Sequence, residues 1–162
     1  MKYKNKYIQI ACDGGAATGK STGAKIISAK YNLKFLSSGL LYRYASYLII
    51  KYRPKNRINF LKSKFRKLNY KNLNKLNLQT PKISDLSAKI ARVNEVRQIL
   101  KKFQINFSNK YKNCCIEGRD IATKILNDKK INVTKNFLNK ETSNLYKEYD
   151  FIKKYNRPYL IS

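Results

Sequence analysis

The sequence feature that most constrains the fold is a glycine-rich motif near the amino terminus. Residues 14–21 (GGAATGKS) match G-x-x-x-x-G-K-[ST] at every defined position. The motif follows a short apolar run, 7–12 (YIQIAC), and precedes a helical pattern that begins at Lys20. A strand before and a helix after are the context in which this motif closes around a phosphate group. The sequence therefore predicts an α/β chain with a phosphate-binding loop after its first strand.

The residue types of this loop suit phosphate chemistry. Glycine and alanine let the backbone close around the ligand, while backbone amides and the helix amino terminus supply positive potential. Lys20 is predicted to reach the β- and γ-phosphates, and the Ser21 hydroxyl is predicted to ligate Mg²⁺. A chance glycine turn before a core helix is the alternative interpretation. The predicted cofactor-binding residues are Gly14, Gly15, Ala16, Ala17, Thr18, Gly19, Lys20, Ser21 and Thr22.

Composition limits the other chemistry open to the chain. Its 162 residues are expected to form one domain. Histidine is absent, which excludes His-based nucleophilic catalysis and His ligands for zinc. Cys12, Cys114 and Cys115 lie in or beside apolar runs without C-x-x-C spacing and are interpreted as core thiols. No apolar run has the length of a signal peptide or a membrane span, so a cytoplasmic protein without membrane contact is expected.

The net charge of +27 arises from 36 Lys and Arg residues against 9 Asp and Glu residues. Such a charge attracts phosphate-bearing partners over a long range, so nonspecific binding of polyanions is expected. A second explanation stays open, because Lys, Asn, Ile and Tyr all have codons rich in A and T and the lysines are spread along the whole chain. The charge alone therefore assigns no function.

Apolar spacing and capping residues predict the elements that follow the first strand over 7–12. Asn32 is expected to end the first helix, while Ser84 and Asn94 are expected to cap two later helices. The predicted helices are 20–31, 39–51, 85–93, 95–107 and 141–155, and the further predicted strands are 33–36, 113–116 and the weaker 130–134.

The interval 52–80 is dominated by Lys, Asn, Leu and Arg. Its leucines are too numerous for a free linker, so it is interpreted as a small insertion on the acceptor side of the domain, with helical content. A flexible basic arm is the alternative.

Several separated segments carry a family resemblance. Residues 10–20 (IACDGGAATGK) and 36–43 (LSSGLLYR) resemble the IDGPAASGK and DSGxxYR patterns of bacterial cytidylate kinases. Residues 94–100 (NEVRQIL) and 117–123 (EGRDIAT) are similar to the PxVR helix and the DGRDIGT segment of that family. Residues 78–84 (LQTPKIS) resemble its LRTPEVS segment. The segments follow the family order.

The resemblance implies a fold, a reaction and a set of site residues. The fold is an adenylate-kinase-like, three-layer P-loop architecture in which helices flank a five-stranded parallel sheet. The reaction transfers the γ-phosphoryl group of ATP, with Mg²⁺, to CMP or dCMP, and a monomer is expected. The implied catalytic residues are Lys20, Arg119 and Asp120. The implied substrate-binding residues are Ser38 and Arg43 for the acceptor phosphate, Arg97 and Asp120 for the cytosine, Arg119 for phosphates near the reacting centre, and the adjoining Gly39 and Tyr42.

Physical chemistry is consistent with these roles. Phosphoryl transfer needs positioned phosphates and charge compensation rather than a covalent nucleophile, so a chain without histidine can perform it. Only eight of the basic residues are arginines, and three of them, Arg43, Arg97 and Arg119, fall in the resembling segments. The alternatives are that these arginines are solvated structural residues and that Asp120 pairs with Arg119 or caps a helix.

The chain departs from the family pattern at several places. Gly15 stands where the family has proline, Ser37 where it has aspartate and Gln79 where it has arginine. Residues 144–148 (NLYKE) resemble the RRYKE run without its arginine pair. The family continues into a lid with phosphate-clamping arginines, so the chain is expected to have a divergent segment over 135–162, a truncated C-terminal part and reduced activity.

Other functions remain open from the sequence alone. The chain could be a P-loop kinase for another small molecule. It could be a basic RNA-binding module that uses residues 52–80 to track phosphates and stack bases. It could also be an inactive remnant of a kinase.

Overall fold

The computed structural model describes residues 8–13, 20–126 and 160–161. The chain divides into two compact units, one formed by Met1–Leu36 with Ser108–Ser162 and the other by Ser37–Phe107. Among the described residues, no helix has the length and apolar character needed to span a membrane. The elements are β1 (Gln9–Asp13), α1 (Lys20–Lys30), β2 (Lys34–Ser37), α2 (Ser38–Tyr52), α3 (Arg57–Arg66), a 3₁₀ helix (Tyr70–Lys75), α4 (Pro81–Ile90), α5 (Asn94–Lys110), β3 (Cys114–Gly118), a π-helical turn (Ile121–Ile125) and β4 (Leu160–Ile161).

The first unit is built on a sheet whose strand order is β2-β3-β1-β4. The parallel pairing of β1 with β3 sets Gln9 opposite Cys114 and Asp13 opposite Gly118, so both strands end at the same edge. The chain thus has an α/β fold in which helices flank a three-stranded parallel sheet of the P-loop kinase type. β4 adds an antiparallel pairing on the other side of β1, through Ala11 and Cys12. The resemblance implied five parallel strands, whereas the fourth strand described here is antiparallel.

Helix α1 packs on this sheet through a small apolar core. The core combines strand residues with Ala24 and Ile27 of the helix and Leu33 beyond it. Cys12 and Cys115 belong to the same core, with their Sγ atoms 3.8 Å apart. The hydrogen bond to Cys115 and burial together raise the pKa of the Cys12 thiol. All three cysteines are buried, which agrees with their interpretation as core thiols.

The second unit consists of helices whose apolar faces point inward. α2 packs against α4, and Ser46 and Ser87 approach within 3.2 Å of each other through their hydroxyls. The interval 52–80 contains α3 and the 3₁₀ helix. Four of its apolar residues are buried in the unit, and these are Leu61, Phe65, Leu73 and Leu78. Three of the five leucines thus form part of a packed core, and Leu68 and Leu76 are half-buried.

Helices α1, α2 and α5 lie within three residues of their predicted bounds, whereas α4 begins four residues earlier than predicted. Asn94, the predicted cap of α5, is the first residue of that helix. Asn32 follows α1 with a φ of 50°, a left-handed conformation that asparagine tolerates and that ends a helix. The predicted cap at Ser84 is wrong, because α4 begins at Pro81 and Thr80 accepts a hydrogen bond from the Ile83 amide at 3.3 Å. Proline suits the first helical position because its fixed φ is helical and its missing N–H has no intrahelical partner there. The predicted strand 130–134 and helix 141–155 lie outside the described residues.

Candidate functional site

Asp13 joins the ends of the two central strands. It is the last residue of β1, and its two carboxylate oxygens accept hydrogen bonds from the backbone amides of Ile121 (2.7 Å) and Ala122 (2.9 Å). A carboxylate that accepts two backbone N–H groups makes charge-assisted bonds, which are stronger than neutral ones. Asp13 therefore anchors the segment that follows β3 against the end of β1.

A buried carboxylate lies beside the lysine of the glycine-rich motif. Glu117 belongs to β3, and its side chain is only 3% exposed. Its Oε2 atom is 3.8 Å from Nζ of Lys20, the first residue of α1. An ion pair of this kind holds a cation at a fixed place, because separating the charges would leave a carboxylate in a low-dielectric surrounding. The Lys20 ammonium is thus held near the carboxyl end of β3.

Arg119 and Asp120 lie between β3 and the π-helical turn, and both are exposed. Asp120 has a φ of 59°, in the left-handed region that favours Gly, Asn and Asp. Its side chain makes no capping bond to the turn, so the predicted alternative of a helix cap does not hold. Its carboxylate instead accepts a hydrogen bond from Lys124 Nζ at 2.6 Å. This pair is half exposed, so it contributes little to stability.

The rest of the predicted phosphate loop is described only at its helical end. Gly14, Gly15, Ala16, Ala17, Thr18 and Gly19 lie outside the described residues. Ser21 and Thr22 lie in the first turn of α1 and are exposed. The described residues contain no cluster of three or more His, Cys, Asp or Glu side chains able to hold a metal ion. A serine hydroxyl still suits Mg²⁺, because this ion keeps several waters and takes most other ligands from phosphates.

In the second unit, α2 begins with the residues of the predicted acceptor segment. Ser37 caps the helix by accepting a hydrogen bond from the Leu40 amide at 3.2 Å. Serine and aspartate are both strong caps, so the Ser37 departure from the family pattern preserves this role. Ser38 is buried, and Gly39 is exposed. A Cβ atom on Gly39 would meet only Ser37 Oγ at 3.8 Å, so the helix itself does not require glycine there.

Two interactions involve the other residues predicted to bind the acceptor, Tyr42, Arg43 and Arg97. Arg43 donates a hydrogen bond from Nη1 to the Leu78 carbonyl at 3.3 Å, which links α2 to the start of segment 78–84. Tyr42 lies close enough to Arg97 for the guanidinium charge to act on its phenol. Burial raises the pKa of Tyr42, and the Arg97 charge opposes part of that rise. Arg43 is thus joined to segment 78–84 by a hydrogen bond, and Tyr42 lies within electrostatic range of Arg97.

The candidate residues fall into two sets that follow the two units. Lys20, Arg119 and Asp120 lie at the carboxyl edge of the sheet in the first unit, and Ser38, Gly39, Tyr42, Arg43 and Arg97 lie in the second. Sequence reasoning did not single out Asp13 or Glu117, although both lie inside resembling segments. Their position in the sequence could have identified them, because each is an acidic residue at the end of an apolar run predicted to be a strand.

Comparison with known proteins agrees with the geometry. The family model described as cytidylate kinase matches residues 10–144. A cytidylate kinase of Clostridium botulinum is 38% identical over 133 residues, covering 75% of this chain and 60% of that protein. A cytidylate kinase of Bartonella tribocorum is 35% identical over 124 residues, covering 74% and 56%. The chain therefore spans about 60% of the length of these relatives. Because the family model covers most of the chain, this protein belongs to the cytidylate kinase family.

Proposed function

We propose that this chain is an ATP-dependent (d)CMP kinase, which transfers the γ-phosphoryl group of ATP to CMP or dCMP and yields ADP with CDP or dCDP. One observation carries the proposal. The motif lysine, Lys20, and the segment bearing Arg119 and Asp120 are both fixed at the carboxyl ends of β1 and β3. Ligands of open α/β sheets bind at that edge.

In this proposal, the residues that bind the phosphoryl donor, ATP, lie in the first unit. Lys20 would neutralise charge on the β- and γ-phosphates, and Glu117 would keep its ammonium in place. Arg119 would offer a planar fork to phosphate oxygens near the reacting centre. An oxygen of the acceptor phosphate attacks the γ-phosphorus while the bond to the β–γ bridging oxygen breaks, so ADP leaves with the electron pair. No protein nucleophile is needed.

The acceptor side of the reaction falls to the second unit and to Asp120. Ser38 and Arg43 would hold the phosphate of CMP, and the bond from Arg43 to the Leu78 carbonyl already orders its guanidinium. Arg97 and Asp120 would recognise the cytosine, because a carboxylate accepts from its amino group and a guanidinium donates to its carbonyl and ring nitrogen. Tyr42 and Gly39 would shape the surface around these groups.

Ser21 is the residue that would ligate Mg²⁺. The ion, when bound with ATP, neutralises charge on the β- and γ-phosphates. The Lys20 ammonium and the amino terminus of α1 add fixed positive charge at the same place.

The proposal is tested by coupled ADP release with Mg·ATP and a panel of CMP, dCMP, UMP and AMP. We expect the highest rate with CMP or dCMP. Lys20→Ala is expected to lower kcat by roughly 10²–10³-fold, the usual effect of removing one charge-stabilising group. Lys25→Ala is the matched control, because Lys25 is an exposed lysine of the same helix.

A second variant tests the acceptor assignment. Arg43→Lys keeps the charge but loses the fork, so KM for CMP should rise while KM for ATP stays near the wild-type value. Arg92→Lys, at an exposed position after α4, is its control. Equal or faster turnover with another acceptor would show a different small-molecule kinase. Absence of turnover in a protein that melts cooperatively would contradict the proposal.

A further inference from the structure

A second candidate ligand site lies in the second unit, and its lining contains none of the predicted acceptor residues. A cleft of about 490 Å³ opens beside α3 and the 3₁₀ helix, and its volume is that of a small-molecule cleft. Its lining includes one aromatic ring, two carboxamides and three ammonium groups, which are Tyr44, Asn69, Asn72, Lys64, Lys67 and Lys75. This combination can contact a ring, form directed hydrogen bonds and neutralise phosphates.

The three lysines of the cleft form no ion pair with the residues that the structure describes. No carboxylate among those residues lies within ion-pair distance of any of them. The described ring contacts of Lys64 are with aromatic faces, at 4.9 Å from the Tyr52 centroid and 5.4 Å from the Phe60 centroid. Aromatic faces attract a cation but leave its charge intact. An anion in the cleft would therefore relieve the mutual repulsion of three ammonium groups.

The surroundings of the cleft extend the positive surface. From Lys51 to Lys75 inclusive the sequence has ten Lys and Arg residues, and no Asp or Glu lies between Asp13 and Asp85. Three of the eight arginines, Arg53, Arg57 and Arg66, lie within this stretch. Leu61, Phe65 and Leu73 of the stretch are buried, whereas its Lys and Arg residues are exposed except for the half-buried Lys64. A ligand longer than the cleft would thus meet further cations beyond the lining residues.

We propose that this cleft and the α3 surface around it bind single-stranded nucleic acid, with one nucleotide in the cleft and its neighbouring phosphates on the flanking lysines and arginines. Two observations favour a polymer over a free nucleotide: the basic stretch extends well beyond the residues that line the cleft, and Tyr52, whose ring contacts Lys64 of the cleft, is 50% exposed. Proteins that bind single strands without sequence preference combine a basic groove with rings on which bases stack. The site uses none of the residues assigned to phosphoryl transfer.

The test measures the fluorescence anisotropy of a labelled twelve-nucleotide RNA, titrated with the full chain at 50 to 200 mM KCl without ATP or CMP. The variant Lys64→Gln/Lys67→Gln/Lys75→Gln should weaken binding by about tenfold or more. Its slope of log K against log salt should be smaller by about 2, since each phosphate contact on a single strand contributes about 0.7. The control Lys89→Gln/Lys101→Gln/Lys102→Gln removes the same charge from α4 and α5 and should weaken binding by about twofold at most.

Two further arms decide the nature of the ligand. Asn72→Ala removes an exposed carboxamide of the cleft without any change of charge, so it should weaken binding while the salt slope stays constant. Unlabelled UMP at the same total phosphate should displace the RNA far less than an unlabelled oligonucleotide does. Equal weakening by the two lysine triples would show attraction by net charge only and would overturn the proposal. Displacement by UMP as effective as by the oligonucleotide would overturn the choice of a polymer.

Discussion

At the residue scale, the most informative side chain is Asp13. Its carboxylate accepts hydrogen bonds from two backbone amides, so it positions the chain that follows β3. Arg119 and Asp120 directly precede those amides, and their place therefore depends on a side chain more than a hundred positions away. Asp13 can therefore influence the position of Arg119 and Asp120 through the backbone that it anchors.

The prediction for this residue concerns Asp13→Asn. An amide keeps the size but presents an NH₂ group where a second acceptor is required, which leaves one backbone N–H without a partner. We expect a loss of about 1–3 kcal/mol in the free energy of unfolding and a fall in kcat/KM larger than the fall in the affinity for ATP. Urea unfolding and steady-state kinetics measure the two effects. Unchanged kinetics in the variant would contradict a positioning role.

The sequence indicated candidate site residues but not the side chains and backbone groups that they contact. Lys20 was identified because its motif is local, with all of its defining residues within eight positions. The bonds from Asp13 to the π-helical turn, and the ion pair of Glu117 with Lys20, join residues about a hundred positions apart. No periodicity or spacing reports such pairings, because they depend on which strands become neighbours in the sheet.

At the element scale, the interval 52–80 shows how apolar spacing outweighs composition. Lys, Asn and Arg dominate the interval, yet α3 and the 3₁₀ helix form because Leu61, Phe65 and Leu73 can be buried on one side. An edge-to-face contact of Phe65 with Phe103, with ring centroids 5.8 Å apart, joins α3 to α5. Helix ends were predicted less well, since Ser84 and Thr80 are both good caps and only the following proline distinguishes them.

The prediction for this element concerns Leu61→Ala. Leu61 is completely buried, so its truncation should cost about 2–5 kcal/mol in the free energy of unfolding, including the cavity that it leaves. Lys62→Ala, the exposed neighbour on the same helix, should change this free energy by less than about 0.5 kcal/mol. Urea denaturation followed by circular dichroism measures both. If the two variants were equally stable, Leu61 would not be part of the core, and residues 52–80 would instead form a flexible basic arm.

At the scale of the whole molecule, the chain consists of a discontinuous unit and a continuous one. The discontinuous unit carries Lys20, Arg119 and Asp120, and the continuous unit, Ser37–Phe107, carries the predicted acceptor segment and the basic cleft. A ligand that binds one unit stabilises the folded chain by mass action even where no reaction follows. Binding and turnover can therefore be measured separately.

The prediction at this scale concerns nucleotide binding. Mg·ATP at a hundred times its Kd should raise the free energy of unfolding by about 2.7 kcal/mol, which appears as a higher melting temperature. Lys20→Ala should lose most of this shift, while Lys25→Ala should keep it. Differential scanning fluorimetry with and without Mg·ATP measures the effect. A full shift in Lys20→Ala would show that ATP binds the protein without the motif lysine.

The position of β3 in the middle of the parallel sheet has a consequence for protein synthesis. β1 and β2 are not adjacent, and each is a neighbour of β3, which is translated about a hundred residues after β1. At roughly 5–20 residues per second, the ribosome needs roughly 5–20 s to cover that distance. During that interval the whole of Ser37–Phe107 emerges and can pack locally, while the first strand has no parallel partner. β1 is thus made about a hundred residues before its parallel partner, and slower translation lengthens the time during which its apolar residues are unpaired.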